Sequence, residues 1–333
     1  MSTARRAVRC LIGAALFILG AGHATAQDRF LVGTNWLPDA ERGGFYHAQA
    51  AGIYQRNGLD VVVQAGGPQT NNPILLAAGK LDAVMVTSAV EAMNYARNGV
   101  PIVAVAAIYQ RNPQILLAHK AANIRSYEDM RGKPVMISAL ARNGYWLWLK
   151  AKYGFTDDQI RPYTFNLVNF LNNPHAIQQG YVTYEPYAVR QQGAEPEVFL
   201  LADAGFLDYG GILLVRRETL ETRRDVLQRF VKALSEGWRD FLFGDPSPGL
   251  KLIKSLNPQL TDDLIANSMK IMVERGLIHS GDAETGGIGA MTEDRWRRIY
   301  EDMAAAGVVE KGDYWRKAFD TSLLGSGLAM PPK

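Results

Sequence analysis

The chain of 333 residues carries 36 basic and 33 acidic side chains, a formal charge of +3, with 47% hydrophobic residues and a single cysteine, Cys10. The excess charge sits at the N-terminus, where Arg5, Arg6 and Arg9 stand without an acidic residue through Ala26. The remainder is electrically balanced and offers no basic surface for nucleic acid or an anionic membrane. Beyond Cys10 there is no thiol, which excludes cysteine nucleophiles and cysteine-ligated metals from the rest of the chain.

The first 26 residues read as a secretory signal peptide: three arginines, an apolar run from Leu11 to Leu19, and an Ala24-Thr25-Ala26 exit with cleavage expected after Ala26. Cys10 precedes the apolar run, so a lipoprotein anchor is not expected. No other apolar run approaches the roughly 20 residues of a membrane span. We therefore expect an unanchored periplasmic protein. At about 150 residues per domain, its length suggests two domains.

In chain order, an apolar strand at Phe30 to Val32 feeds Asn35-Trp36-Leu37-Pro38, then a helix signal through Phe45-Tyr46-His47, then Gly58 and a strand at Leu59 to Val63. This is a βαβ unit. Ligands bind outside the carboxyl ends of strands in such sheets, which favours Asn35 and Trp36, although position alone leaves Trp36 open between core and ligand contact. Gly66-Gly67-Pro68 reads as a turn. Pro73 suits a first helical position and Gly79 a helix end. A strand at Leu81 to Val86, a helix from Ala89 to Arg97 and a continuously apolar strand at Val100 to Ile108 follow, pointing to α/β with a parallel sheet.

A second series begins near Pro113, with strands at Ile115 to Ala118 and Val135 to Ser138 and an aromatic helix from about Arg142 to Tyr153. Asn166 to Gly180 is less regular, Val182 to Glu185 reads as extended, Pro186 opens a helix, and Val198 to Ala202 is a strand. This block has its own sheet, as an inserted second lobe. Ile212 to Val215 is the last clear strand. A helical tail then starts with Val226, Leu227, Phe230, Val231, Leu234, Trp238 and Phe241 at helical spacing, and it is expected to brace the first lobe.

Candidate chemistry lies in four loops at strand ends: Asn35-Trp36, Gly66 to Asn72, Thr87-Ser88, and Ser138 to Asn143. The last three precede helices, whose free N–H groups accept polar ligand atoms. In the aromatic helix Trp148 is expected in the core, leaving Tyr145 or Trp146 to face a cleft. Tyr181 to Pro186 puts Glu185 at the mouth of the second lobe, open between ligand contact and surface salt bridge. Four histidines follow the leader, none at metal-ligand spacing, and His47 is expected to be a partly exposed helix residue. No hydrolase elbow, phosphate loop or dinucleotide fingerprint is present.

Asn35-Trp36-Leu37-Pro38, Gly44-Phe45-Tyr46, Ala48, Gly52-Ile53-Tyr54, Gly58-Leu59-Asp60-Val61 and Gly79-Lys80-Leu81-Asp82 form a recognisable series. With Tyr184-Glu185-Pro186, Gly211-Ile212-Leu213 and Asp245-Pro246, it resembles the substrate-binding proteins of ABC transporters that include binders of thiamine-pyrimidine precursors, riboflavin, nitrate and alkanesulfonates. The resemblance implies a type II periplasmic-binding-protein fold: two parallel-sheet lobes joined by two crossovers, with helices at the C-terminal end. Lobe 1 would comprise 28–112 and 204–330, and lobe 2 would comprise 113–203.

The implied role is solute capture, as a monomer without cofactor, and delivery to a permease and its ATPase. The thiamine-pyrimidine branch is the nearest in motif. It implies a flat nitrogen heterocycle stacked on Trp36 and tyrosines and gripped by Glu185, with Asn35, Tyr46, Thr87, Ser88, Ser138, Asn143, Tyr145 and Tyr184 as further contacts. Nitrate or a sulfonate would want donors instead, for which Arg42 and Arg142 are available, neither with an obvious partner motif. Riboflavin or an aromatic acid is another alternative, as is a sensor subunit that presents its ligand to a receptor. A fungal thiamine-pyrimidine synthase shares the fold, but its lysine and histidine have no counterpart in Asp82 to Gly99, and its cysteine-rich motif has none after the leader.

Overall fold

The computed structural model describes residues 27–68, 70–324 and 327–332, so the expected signal peptide lies outside the described residues. Two five-stranded sheets organise the chain. The first has the order β2-β1-β3-β10-β4, from β1 (Asp28–Gly33), β2 (Leu59–Gln64), β3 (Ala83–Ser88), β4 (Ile102–Tyr109) and β10 (Gly210–Arg216). The second has the order β7-β6-β8-β5-β9, from β5 (Gln114–His119), β6 (Val135–Ile137), β7 (Ile160–Pro162), β8 (Ile177–Tyr181) and β9 (Pro196–Leu200). The chain passes between the sheets at 110–113 and at 201–209. Among the described residues no helix is long and apolar enough to cross a membrane.

The sheets are mixed rather than parallel. β1 pairs parallel with β2 and β3, but β10 runs antiparallel between β3 and β4. In the second sheet β6 pairs parallel with β7 and β8, while β5 runs antiparallel between β8 and β9. The two antiparallel strands are those that enter a sheet directly from the other one. Each arrives without a crossover helix, and a parallel pairing needs such a helix.

α1 (Gly43–Ala50) and α2 (Ile53–Arg56) connect β1 to β2; α3 (Asn72–Ala77) and α4 (Ala89–Arg97) follow β2 and β3. In the second lobe, α5 (Ala139–Arg142) and α6 (Tyr145–Tyr153) split the expected aromatic helix at Asn143-Gly144. α7 (Val168–Leu171) precedes β8, and α8 (Glu185–Gln191) follows it. β8 lies earlier than the extended stretch expected at Val182 to Glu185. Its polar Gln178 and Gln179 concealed it: Gln178 is fully buried, and the Gln179 Oε1 accepts the Ser138 N–H at 2.5 Å.

After β10 come α9 (Arg217–Thr222), α10 (Arg224–Phe243), α11 (Ser247–Leu256), α12 (Asp262–Glu274), α13 (Ala283–Gly286) and α14 (Glu293–Ala305). α10 is the principal brace of the first sheet. Its fully buried Trp238 and Phe241 lie on α1 at Gly44 and Gly43, where a Cβ would come within 2.3 and 2.0 Å of those rings. In return a Cβ on Gly237 would stand 2.6 Å from the Gly44 carbonyl and from Ala48 Cβ. His47, expected to be partly exposed, is 2% exposed under α11, where Gly249 leaves room for it. Its pKa is lowered, chiefly by burial.

The later tail helices hold the two crossings. Gln110 Nε2 donates to the Ala290 carbonyl at 2.8 Å. Arg295 of α14 donates to the Gln110 carbonyl of the first crossing and to Leu207 O, 3.2 Å away, of the second. Its guanidinium lies 4.3 Å from the ring centre of Tyr209.

Gly237→Ala tests the α1–α10 contact, because the obstacle is backbone that no rotamer change can clear. We expect a loss of roughly 1–3 kcal/mol in urea unfolding, the usual cost of overpacking and larger than the gain in helix propensity. A variant as stable as the parent would refute the close approach.

Candidate ligand-binding site

The loop after β1 is fixed before any ligand arrives. The Gly66 N–H donates to Trp36 O at 3.0 Å and to Thr34 Oγ1 at 3.2 Å, and a Cβ on Gly66 would sit 2.3 Å from the Thr34 carbonyl. Buried Asn72 donates to that same carbonyl at 2.7 Å. The Gly66-Gly67-Pro68 turn is thus a tight seat for Asn35 and Trp36, and the glycine is required by the approach of backbone to backbone.

Behind this loop, a 3₁₀ turn at Ala40–Arg42 carries a buried charge cluster. Arg42 is 3% exposed and Glu41 7%. The Arg42 guanidinium donates to Asp39 Oδ2 at 2.9 Å, to Glu41 Oε2 at 2.6 Å and, through Nε, to Asn35 Oδ1 at 2.9 Å. Burial opposes the Arg42 charge, but the facing Asp39 and Glu41 outweigh it and leave its pKa above the ordinary arginine value. Burial raises the Asp39 carboxyl to about 7 despite Arg42. Tyr109 at the end of β4 donates to the Glu41 carbonyl at 2.9 Å.

This cluster borders a narrow cavity of about 10 Å³ between the sheets, room for roughly one water, lined by Asn35, Glu41, Arg42, Thr87, Tyr109 and Tyr181 together with Met85, Pro113, Gly210 and Gly211. Asn35 and Thr87 stand at the carboxyl ends of β1 and β3, and Asn35 Nδ2 reaches Thr87 Oγ1 at 3.4 Å. Tyr181 closes the cavity from the end of β8, and burial pushes its phenol up to about 12. Gly211, at φ +57°, leaves the floor open: a Cβ there would meet Met85 and Tyr109 at 2.7 and 2.9 Å.

A wider cleft of about 390 Å³ lies on the second lobe, walled by Tyr163, Phe165, Tyr184, Glu185 and the α7 and α8 surfaces. Trp36 of the first lobe packs on one wall of it, its ring 5.4 Å from that of Phe165, which in turn lies 4.9 Å from Tyr163. Glu185 is 8% exposed and turned inward, accepting from Tyr181 N at 2.7 Å and from Tyr163 OH at 3.1 Å. Burial lifts its carboxyl to about 7. Glu185 therefore joins the two spaces, since Tyr181 lines the smaller one.

The remaining sequence candidates are more dispersed. Tyr46 is fully buried in the first lobe, its phenol pushed up to about 12 by burial. Ser88 caps α4 through the Val90 N–H and donates to Asp208. Ser138 caps α5, Asn143 is exposed, and Tyr145 is 4% exposed with its ring edge-on to Phe206 at 6.3 Å. Trp146 and Trp148 are both buried, bonding Asp157 and Asp302. Arg142 is exposed. Sequence reasoning missed Asp39, Glu41, Tyr109, Phe165, Tyr181 and Thr183. Two acids within three residues of Arg42 were the available signal for its partners. Among the described residues no group of three or more His, Cys, Asp or Glu is arranged to hold a metal.

Asp39, Glu91, Glu185 and Asp208 all have carboxyls raised to about 7, each chiefly by burial. A raised acid binds its proton more tightly in the fold than in the unfolded chain, so stability is gained as pH falls through about 7. The melting temperature should rise between pH 8.5 and 6.5, and Glu185→Gln should make that rise shallower. A melting temperature that falls over this interval would contradict the assignment.

Comparison with known proteins places this geometry. The riboflavin-binding protein RibY of Chloroflexus aurantiacus is 24% identical over 306 residues, covering 88% of this chain and 85% of RibY. The periplasmic aliphatic sulphonate-binding protein SsuA of Escherichia coli superposes with a TM-score of 0.67 at 13% identity, over 92% of this chain and 94% of SsuA. The desulfurization enzyme DSZB shares the fold at a TM-score of 0.56 and 12% identity, over 90% of this chain and 98% of its own. The fold is thus that of periplasmic binding proteins, and it hosts an enzyme as well. The family described as NMT1/THI5 like matches residues 39–247, a stretch that begins at the Asp39 cluster and takes in every strand after β1 and the whole of α10, and the chain belongs to that family.

Proposed function

We propose that this protein is the periplasmic solute-binding component of an ABC importer and that its solute is a small, flat nitrogen heterocycle, a thiamine-pyrimidine precursor or a close analogue. The observation that carries the choice of ligand is the state of Arg42. It is the one cation among the described residues lining either cavity, and its guanidinium is already paired with Asp39, Glu41 and Asn35. These bonds engage its Nε and Nη1, so a sulfonate or nitrate could address only Nη2 and would sit beside two buried acids, an arrangement that disfavours a second anion. An aminopyrimidine instead offers ring and amine nitrogens to carboxylates and amide oxygens, and faces to aromatic rings.

In this reading the heterocycle enters beside Trp36 and lies in the wider cleft, with one edge toward the narrow space at Asn35, Thr87 and Tyr181. Trp36 and Phe165 cover it from opposite lobes, with Tyr184 at the rim. Glu185 supplies the polar grip from the second lobe, and the hinges fall at 112–113 and 203–204. The ligand-loaded form is delivered to a permease and its ATPase. The names of RibY and SsuA, both binding proteins, support binding over catalysis; DSZB shows that the fold alone does not decide it. A flavin is the second reading. It is favoured by the relation to RibY and by a second-lobe cleft of about 390 Å³, within the range of small-molecule sites.

Thermal-shift measurements on the mature protein with an aminopyrimidine, riboflavin, nitrate and an alkanesulfonate test this choice, because a ligand that binds only the folded state raises the melting temperature. We expect the aminopyrimidine to give the largest rise. A rise with riboflavin alone would select the flavin, and a rise with the anions alone would overturn the heterocycle reading. Trp36→Ala should weaken binding of the active compound about tenfold, the scale of a lost aromatic face, and leave the unliganded melting temperature nearly unchanged. Equal affinity in the variant would remove Trp36 from the site.

A further inference from the structure

The turn between β8 and α8 places Thr183, a fully buried residue of the second lobe, against two separate elements of the first. Its hydroxyl donates to Glu41 Oε1 in the 3₁₀ turn ahead of α1. Its carbonyl accepts from Ser268 Oγ at 2.9 Å and from Asn267 Nδ2 at 3.3 Å, both on α12 of the helical tail. One residue thus makes three hydrogen bonds across the junction, all satisfied in the interior, where an unmade bond costs more than a made one returns. Thr183 also stands two residues after Tyr181, which lines the inter-sheet cavity, and immediately before Tyr184 and then Glu185, which line the wider cleft.

We propose that Thr183 is a latch and positioning residue: it holds the two lobes closed through Glu41 and α12, and by doing so sets the turn that presents Tyr181 and Glu185 to the solute. The bonds are of two kinds with different consequences. The carbonyl contacts do not depend on the side chain, but they form only while the turn is docked on α12 and are lost when the lobes part. The hydroxyl contact alone reports on Glu41, whose other carboxylate oxygen is held by Arg42. Glu41 is therefore shared between the latch and the charge cluster at the cavity wall. Separation of the lobes removes the Thr183 hydroxyl from that carboxylate and leaves Arg42 as its partner. The tail helix α12 has a role beyond bracing the first sheet, since Asn267 and Ser268 are its contribution to closure.

This latch rests on the proposed solute-binding role only for its purpose, not for its existence, and its test needs no solute. Small-angle X-ray scattering of the unliganded mature protein measures the radius of gyration, which rises when the lobes part. Thr183→Val removes the hydroxyl at nearly constant shape, and Thr183→Ser restores it. We expect the Val variant to have a measurably larger radius than wild type and the Ser variant to match wild type. The same radius for wild type and Val would overturn the latch, as would an enlargement that Ser does not reverse. Once a solute is identified, Thr183→Val should also speed its release about tenfold, with Ser near wild type. Failure of every compound in the thermal-shift panel would count against the solute reading and leave the scattering result standing.

Discussion

A guanidinium buried between two sheets is the constraint on which the rest of this structure depends. Arg42 is almost wholly removed from water, and such a charge is tolerated only when paired and hydrogen-bonded. Asp39 and Glu41 supply the pairing, Asn35 the amide oxygen, and Tyr109 and Thr183 tie Glu41 to β4 and to the second lobe. Every one of these partners comes from a strand end, the turn before α1 or the turn after β8. The cluster therefore fixes the relative placement of the elements that line the cavity, and it sets the charge that a solute encounters.

Mechanical consequences follow from the topology. Each sheet receives one strand directly from the other, β5 in the second and β10 in the first, so the lobes are joined by two short connections beside the cleft. Those connections are themselves held from behind. Gln110 and Arg295 bind them to the loop before α14 and to α14, and the Arg111 guanidinium pairs with Asp203 from one connection to the other. The tail of the chain thus holds both connections on one side and, through α12, meets the second lobe on the other. Closure requires that a ligand favour the closed arrangement over the open one, and a cavity bounded by both lobes supplies that difference.

Much of this was legible in the amino-acid order. The alternation of apolar runs with helix signals gave two α/β units and a helical tail, and the seven apolar positions from Val226 to Phe241 are all buried in α10. Asn35 and Thr87 stand at one cavity because strand ends are readable from hydrophobic runs. The mixed strand directions were not readable, because direction is a property of connections rather than of any single strand. β8 escaped notice because buried glutamines break the apolar signature of a strand. The Asp39–Glu41–Arg42 cluster was missed for a related reason: short-range charge pairs in sequence are usually solvated, and only the burial of this turn beneath Tyr109 and Thr183 makes it part of a site. Glu185 was legible as a residue of interest, but not its inward turn toward Tyr181 and Tyr163.

The central claim is that the acidic partners of Arg42 consume its charge, so the cleft selects an uncharged or cationic heterocycle. A crystal structure of the mature protein with its solute bound tests this most directly. The account predicts a flat ring in the wider cleft between Glu185 and the Trp36–Phe165 pair, with Arg42 still bonded to both Asp39 and Glu41. A solute oxygen within hydrogen-bonding distance of the Arg42 guanidinium, with Asp39 or Glu41 displaced, would contradict it.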